Sequence, residues 1–136
     1  MMASAQIQKY RLESEIGSLA KVEQIIEELK DLYRIPEDIY GNILVSITEA
    51  VNNAIRHGNK LDPSKKVDFS FESNEKEFIF RIIDQGTGFD PNSIPDPTLP
   101  ENIDKPDGRG IFIMKNLSDD VKFEEDGRKI EITFYH

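Results

Sequence analysis

The chain of 136 residues contains no cysteine and no tryptophan. Without a thiol it has no disulfide framework, no thiolate nucleophile and no Cys-ligated metal site, so its core alone must hold the fold. Positive charge is also scarce: 17 Lys and Arg face 26 Asp and Glu, a formal net charge of −9. That balance argues against nucleic acid as a partner, because phosphate contacts need clustered Lys and Arg. No apolar run approaches the roughly 20 residues of a membrane span, and Met1 to Ser14 lacks the apolar centre of a signal peptide. The expectation is a soluble, cytoplasmic chain with no membrane partner, folded as a single domain over 1–136.

Against this background, the stretch Asn42 to Lys60 does two jobs. At helical spacing Ile43, Ile47, Ala50, Val51 and Ala54 share one face, while Glu49 and Asn53, four residues apart, share nearly the opposite one. Gly58 and Asn59 supply the stop, so the helix is expected to end just after His57. Upstream, Ile7 to Leu12 reads as a strand with Ser14 as a candidate helix cap. Ile16, Leu19, Val22, Ile26, Leu29 and Tyr33 then mark a helix over Glu15 to Tyr33, and Pro36 suits the first turn of the next.

Downstream, Val67 to Phe71 alternates with period two and Glu77 to Asp84 follows after a break, as in an antiparallel hairpin. Five of the seven prolines fall between Pro91 and Pro106, in a stretch without apolar periodicity. A loop of that length inside a small domain is expected to be a lid, here about 89–109. Gly110 to Leu117 reads as a short helix, and Asp120 to Glu124 with Lys129 to Tyr135 as a closing hairpin. This order predicts an α/β (α+β) two-layer sandwich: a mixed, mostly antiparallel sheet covered on one face by helices.

Three polar or glycine-rich islands remain: Glu49 with Asn53, the run Asp84-Gln85-Gly86-Thr87-Gly88-Phe89-Asp90, and Gly108-Arg109-Gly110. Each has an ordinary reading, as a solvated helix face, a tight turn and a helix entry respectively. Each also has a chemical one. Glycines allow close backbone approach to a ligand, a helix start directs N–H groups at an anion, an Asn oxygen suits Mg²⁺, and a Glu can take a proton. His57 reads first as a helix-end residue favoured by the dipole, and Arg56 and Arg109 as surface charges. No GxxxxGK[ST], HExxH or third dinucleotide-fold glycine occurs, and Pro95 stands where a calcium loop needs its bidentate Glu.

Together, in this order, the islands resemble the GHKL ATPase superfamily with its Bergerat-type ATP-binding fold. Glu49-Ala50-Val51-Asn52-Asn53-Ala54-Ile55-Arg56-His57-Gly58 matches the N box, and the runs from Asp84 and Gly108 match the two glycine boxes. Within it the chain is most similar to the anti-sigma factor serine kinases. The resemblance implies ATP or ADP and Mg²⁺ as cofactors, with Asn53 holding the metal and Glu49 as the catalytic base on a serine hydroxyl. It implies that Asp84 accepts from the adenine amino group, that Gly86 and Gly88 admit the nucleoside, and that Gly108, Arg109, Gly110 and Ile111 close on the phosphates, with Arg56 and His57 nearby. The implied partners are an anti-anti-sigma protein, phosphorylated on serine, and a sigma factor, with the chain as a homodimer through its first strand and adjoining helix. A nucleotide-binding sensor without phosphotransfer, or a slow ATPase, are the rival readings. One departure stands out: where the family carries Thr after the last hairpin's glycine, this chain has Lys129.

Overall fold

The computed structural model describes residues 6–87 and 106–136, with the side chains of 106–108 left out. Five strands form one sheet in the order β1-β2-β3-β5-β4. They are β1 (Gln6–Glu13), β2 (Lys66–Ser73), β3 (Glu77–Ile83), β4 (Asp120–Glu124) and β5 (Lys129–Tyr135). All four neighbouring pairs run antiparallel, so the parallel component allowed by the expected mixed sheet is absent among the described residues. Helices α1 (Ser18–Tyr33), α2 (Glu37–Asn53) and α3 (Pro106–Leu117) complete the two layers.

Period-two alternation sends Phe69, Phe71, Phe78, Phe80, Ile82, Ile132 and Phe134 to the helix side, where each is at most 2% exposed. Register then makes an aromatic ladder. Phe71 faces Phe80 across the β2–β3 pair with ring centroids 5.1 Å apart, and Phe80 meets Phe134 edge-on at 6.0 Å. Such pairs add about 0.5–1.5 kcal/mol each beyond the area they bury. Val22, Ile26 and Leu29 of α1 and Ile43, Ile47, Ala50 and Val51 of α2 close the core from above. The opposite sheet face is polar: Arg81 pairs with Glu72 and Glu131 at 2.9 Å each.

Helix ends differ from expectation in three places. First, α1 starts at Ser18 behind Gly17 and has no side-chain cap; Ser14 instead donates to the Lys65 carbonyl at 2.5 Å. Second, α2 gives way after Asn53 to a π-turn, Ala54–Gly58, whose wider i→i−5 bonding is completed by Asn59 N–H on the Ala54 carbonyl at 2.8 Å. Third, α3 begins at Pro106, four residues before the expected start, because proline suits a first helical turn and Ile111 and Met114 give the helix a buried stripe. Gly108, Arg109 and Gly110 therefore lie within the helix rather than ahead of it, and the expected lid overlaps its first turn. The rest of that lid, and Gly88, lie outside the described residues.

Candidate functional site

The face of α2 turned away from the sheet is not left to solvent, because α3 packs across it. Gly110 is buried where the two helices meet, and a methyl group in its place would stand 2.8 Å from Asn53 Nδ2 and 3.1 Å from Glu49 Oε2. The missing Cβ leaves room for this approach, which brings the first island and the third together. Both polar atoms of the Asn53 carboxamide are buried without a hydrogen-bond partner among the described residues. Ser46 and Thr48 on the same helix also carry unpartnered buried hydroxyls, but of the three only Asn53 lies against Gly110 of α3. An amide in that condition costs on the order of 1–3 kcal/mol per group, which favours any partner that reaches it, whether water, ion or ligand.

The second island joins just beyond Asn53, at the π-turn that ends α2. Asp84 follows β3 on the helix side of the sheet, half-buried. Its Oδ1 accepts from the Gly86 N–H at 2.8 Å, and its own N–H donates to the Arg128 carbonyl at 2.9 Å. A Cβ on Gly58 would overlap the Asp84 carboxylate, and one on Gly86 would overlap the Gly58 carbonyl oxygen. Glycine is required at both positions by close packing. Burial pushes the Asp84 carboxyl up from its ordinary value, against the lowering pull of the Gly86 N–H and of the Arg128 and Lys65 charges.

The structure does not bring every candidate into this cleft. The Arg56 guanidinium turns outward and donates to Asn52 Oδ1 at 2.9 Å, and His57 is exposed. Arg109 is exposed on α3, and the Ile111 side chain is 5% exposed in the core, where it anchors the helix. Within α3 the backbone N–H groups left without helical partners are those of the first turn, ahead of Gly110 and Ile111. Lys129 lies on the strand side opposite Ile130 and within 3.6 Å of Glu124, so its side chain points to the polar sheet face, away from Asp84. Sequence reasoning missed Asn59, which was taken only as a stop signal. It is fully buried and bonds to three other chain segments. An Asn at the end of an amphipathic helix, next to a Gly that is itself tightly packed, was the available sign.

The donor set fits a magnesium nucleotide. An unmet amide oxygen suits a hard divalent ion, a half-buried carboxylate beside two glycines suits a planar base with an amino group, and a helix start suits phosphate.

Fold and site thus define a class: a two-layer α/β domain with an antiparallel sheet, whose polar cleft lies between two helices and the end of a central strand. The family model for the histidine kinase-like ATPase domain matches residues 12–134, and the chain belongs to that family. Among curated proteins, the serine-protein kinase RsbW of Oceanobacillus iheyensis is 30% identical over 87 residues, covering 60% of this chain and 55% of that protein. The anti-sigma F factor of Shouchella clausii is 29% identical over 108 residues, covering 76% of this chain and 65% of its own length. The chain thus spans under two thirds of the length of these relatives. Among solved structures, the RsbU and RsbW domains from Mycobacterium tuberculosis match with a TM-score of 0.62 at 15% identity, covering 96% of this chain and 32% of that one. No helix among the described residues is long and apolar enough to cross a membrane.

Proposed function

We propose that this chain is a cytoplasmic, ATP-dependent serine protein kinase of the anti-sigma type. Its substrate is a serine on an anti-anti-sigma protein, and its second partner is a sigma factor or similar regulator. The observation that carries the reading is the unmet Asn53 carboxamide beside Glu49 under Gly110, with Asp84 packed on the π-turn that follows the same helix. The relatives named serine-protein kinase RsbW and anti-sigma F factor support it.

When bound, magnesium and ATP supply the transferable phosphoryl group and the positive charge that stabilises it. In this reading Asn53 Oδ1 would hold the metal, and the first-turn N–H groups of α3 would supply donors to the phosphates. Asp84 would accept a hydrogen bond from the adenine amino group, while Gly86, packed on the Gly58 carbonyl, would hold that carboxylate through its N–H. Glu49 would take the proton of the incoming serine hydroxyl as the γ-phosphoryl group passed from ATP to that oxygen, the bond to the bridging oxygen breaking and ADP leaving. Homodimerisation is part of the proposal. β1 lies at the sheet edge, free of a strand partner on its outer side among the described residues.

The test is transfer of labelled phosphate from ATP to a serine-bearing partner encoded beside this chain. Glu49→Gln should bind ATP within about twofold of wild type and lose labelling by two orders of magnitude or more, in the range expected for a general base. Unchanged labelling would remove Glu49 from the chemistry. Nucleotide binding with no labelled partner at all would leave a sensor in place of a kinase.

A further inference from the structure

Asn59 sits where four segments converge: the π-turn at the end of α2, the β1–α1 corner, the start of β2 and the end of β3. Its side chain is 0% exposed. Oδ1 accepts from the Gln85 N–H at 2.7 Å, and Nδ2 donates to Ser14 Oγ at 2.8 Å and to the Lys66 carbonyl at 3.0 Å. Gln85 reciprocates, its Oε1 accepting from the Lys66 N–H at 2.6 Å. The chain after Asn59 then bends through two consecutive left-handed residues, Lys60 at φ 54° and Leu61 at φ 59°. Neither is glycine, so the corner costs on the order of 1–2 kcal/mol per residue and persists only because its neighbours over-determine it.

The consequence reaches Asp84. The peptide that Asn59 grips is the one joining Asp84 to Gln85. Fixing that N–H fixes the backbone rotation that follows the Asp84 Cα. Gly58, immediately before Asn59, forms the floor on which the carboxylate rests, and Gly86 supplies its hydrogen bond. Two neighbouring residues of the π-turn corner therefore set both the support and the direction of one carboxylate.

We propose that Asn59 is a positioning residue: it aims the Asp84 carboxylate, and through it sets the preference for a purine bearing an exocyclic amino group. The proposal rests on the nucleotide reading above. Asn59 contacts no nucleotide atom in this scheme and acts through the Gln85 peptide.

The experiment measures dissociation constants for ATP and for purine riboside triphosphate, which lacks the amino group, in the full chain with magnesium. Asn59→Ala should weaken ATP about tenfold, the effect of losing one aligned hydrogen bond. It should weaken the amino-free triphosphate less than twofold, so the ratio between the two collapses. Equal weakening of both ligands, or of neither, overturns the proposal, because a merely structural residue would not separate them. In an Asp84→Ala background, Asn59→Ala should leave the ratio unchanged; a further change also overturns it. Asn59→Asp keeps an acceptor toward Gln85 while losing the donor toward Ser14 and Lys66. It should melt at a lower temperature and retain the base preference, and it decides the matter if the alanine variant does not fold. Loss of preference in that variant overturns the proposal. Failure of the wild-type chain to bind either triphosphate instead removes the nucleotide reading itself.

Discussion

Replacing Gly110 by alanine sets two effects against each other. In the interior of an exposed helix the change is favourable by about 1 kcal/mol, because alanine restricts the unfolded chain and glycine does not. At this position the new methyl would stand 2.8 Å from Asn53 Nδ2, 3.1 Å from Glu49 Oε2 and 3.4 Å from Asn53 Oδ1. Carbon in van der Waals contact needs roughly 3.5–4.0 Å, so something must yield by up to about 1 Å. The obstructing atoms are side-chain ends rather than backbone, and turning the Asn53 carboxamide off its rotamer costs about 0.5–1.5 kcal/mol. Gain and cost nearly cancel, and the melting temperature should move by no more than about 4 °C. Affinity for MgATP should not be spared, since the displaced group is the proposed metal ligand. A loss of 10–100-fold is the usual result of disturbing the orientation of a metal ligand. Scanning calorimetry with and without MgATP, and titration calorimetry of the nucleotide, would read both quantities. Unchanged MgATP affinity in Gly110→Ala would refute the contact between α3 and Asn53 as part of the nucleotide site. A fall in melting temperature beyond about 10 °C would refute the claim that only side-chain ends stand in the way.

Three further outcomes follow from individual contacts. Asp84→Asn should stabilise the fold at neutral pH while weakening ATP about tenfold, since it removes a carboxylate whose ionised form is disfavoured by burial. The sign is set by the raised folded-state value: the cost of ionised Asp84 is full at neutral pH and disappears as pH falls below 3.8. The advantage of the variant should vanish over that interval in pH-dependent thermal melts, and an advantage that grows on acidification would contradict the assignment. Leu61→Asn should raise stability by about 0.5 kcal/mol, because Leu61 is 45% exposed at φ 59° and asparagine tolerates that conformation; urea unfolding would detect the change, and a loss would show that the Leu61 side chain contributes more than its exposure suggests. Arg81→Met should cost about 2 kcal/mol by the same measurement, since it leaves Glu72 and Glu131, with side chains 19% and 16% exposed, facing each other without their shared cation. A neutral result would mean that water satisfies both carboxylates.

The layers were legible in the sequence because they follow from periodicity. Phe69 and Phe71, and Phe78 and Phe80, alternate to one side, and Ile43, Ile47, Ala50 and Val51 recur at helical spacing; all are buried where these periods put them. The three islands were legible as residue types, but their arrangement was not. Sequence pattern placed Glu49 and Asn53 on a face away from the core, and that face is covered by a helix whose start was read four residues late. Period counting gave no warning of the π-turn, because Ala54, Ile55 and Gly58 suit an α-helix as well as a wider one; the choice is made by long-range bonds from Asn59 to Ser14, Lys66 and Gln85. Such bonds join residues 7 to 45 positions apart and leave no local pattern. Arg56 and His57 were assigned by motif, and the structure turns both outward at this same widened turn.

The two ends of the cleft are held in opposite ways, and this bears on how a nucleotide would enter. At the Asp84 end, every polar atom that Asn59 offers is matched, and glycines interlock, so the base end is built before any ligand arrives. At the Asn53 end, the carboxamide is sealed beneath Gly110 with its hydrogen-bonding capacity unspent. A metal or phosphate bound there would give that amide the partner it lacks. Binding would relieve a buried amide that costs on the order of 1–3 kcal/mol per unmet group. The phosphate end is therefore incomplete without a ligand, and the base end is complete. Hydrogen exchange should show the amides of α3 slowing on addition of MgATP while those near Asn59 remain protected throughout; equal protection of both regions without ligand would contradict this division.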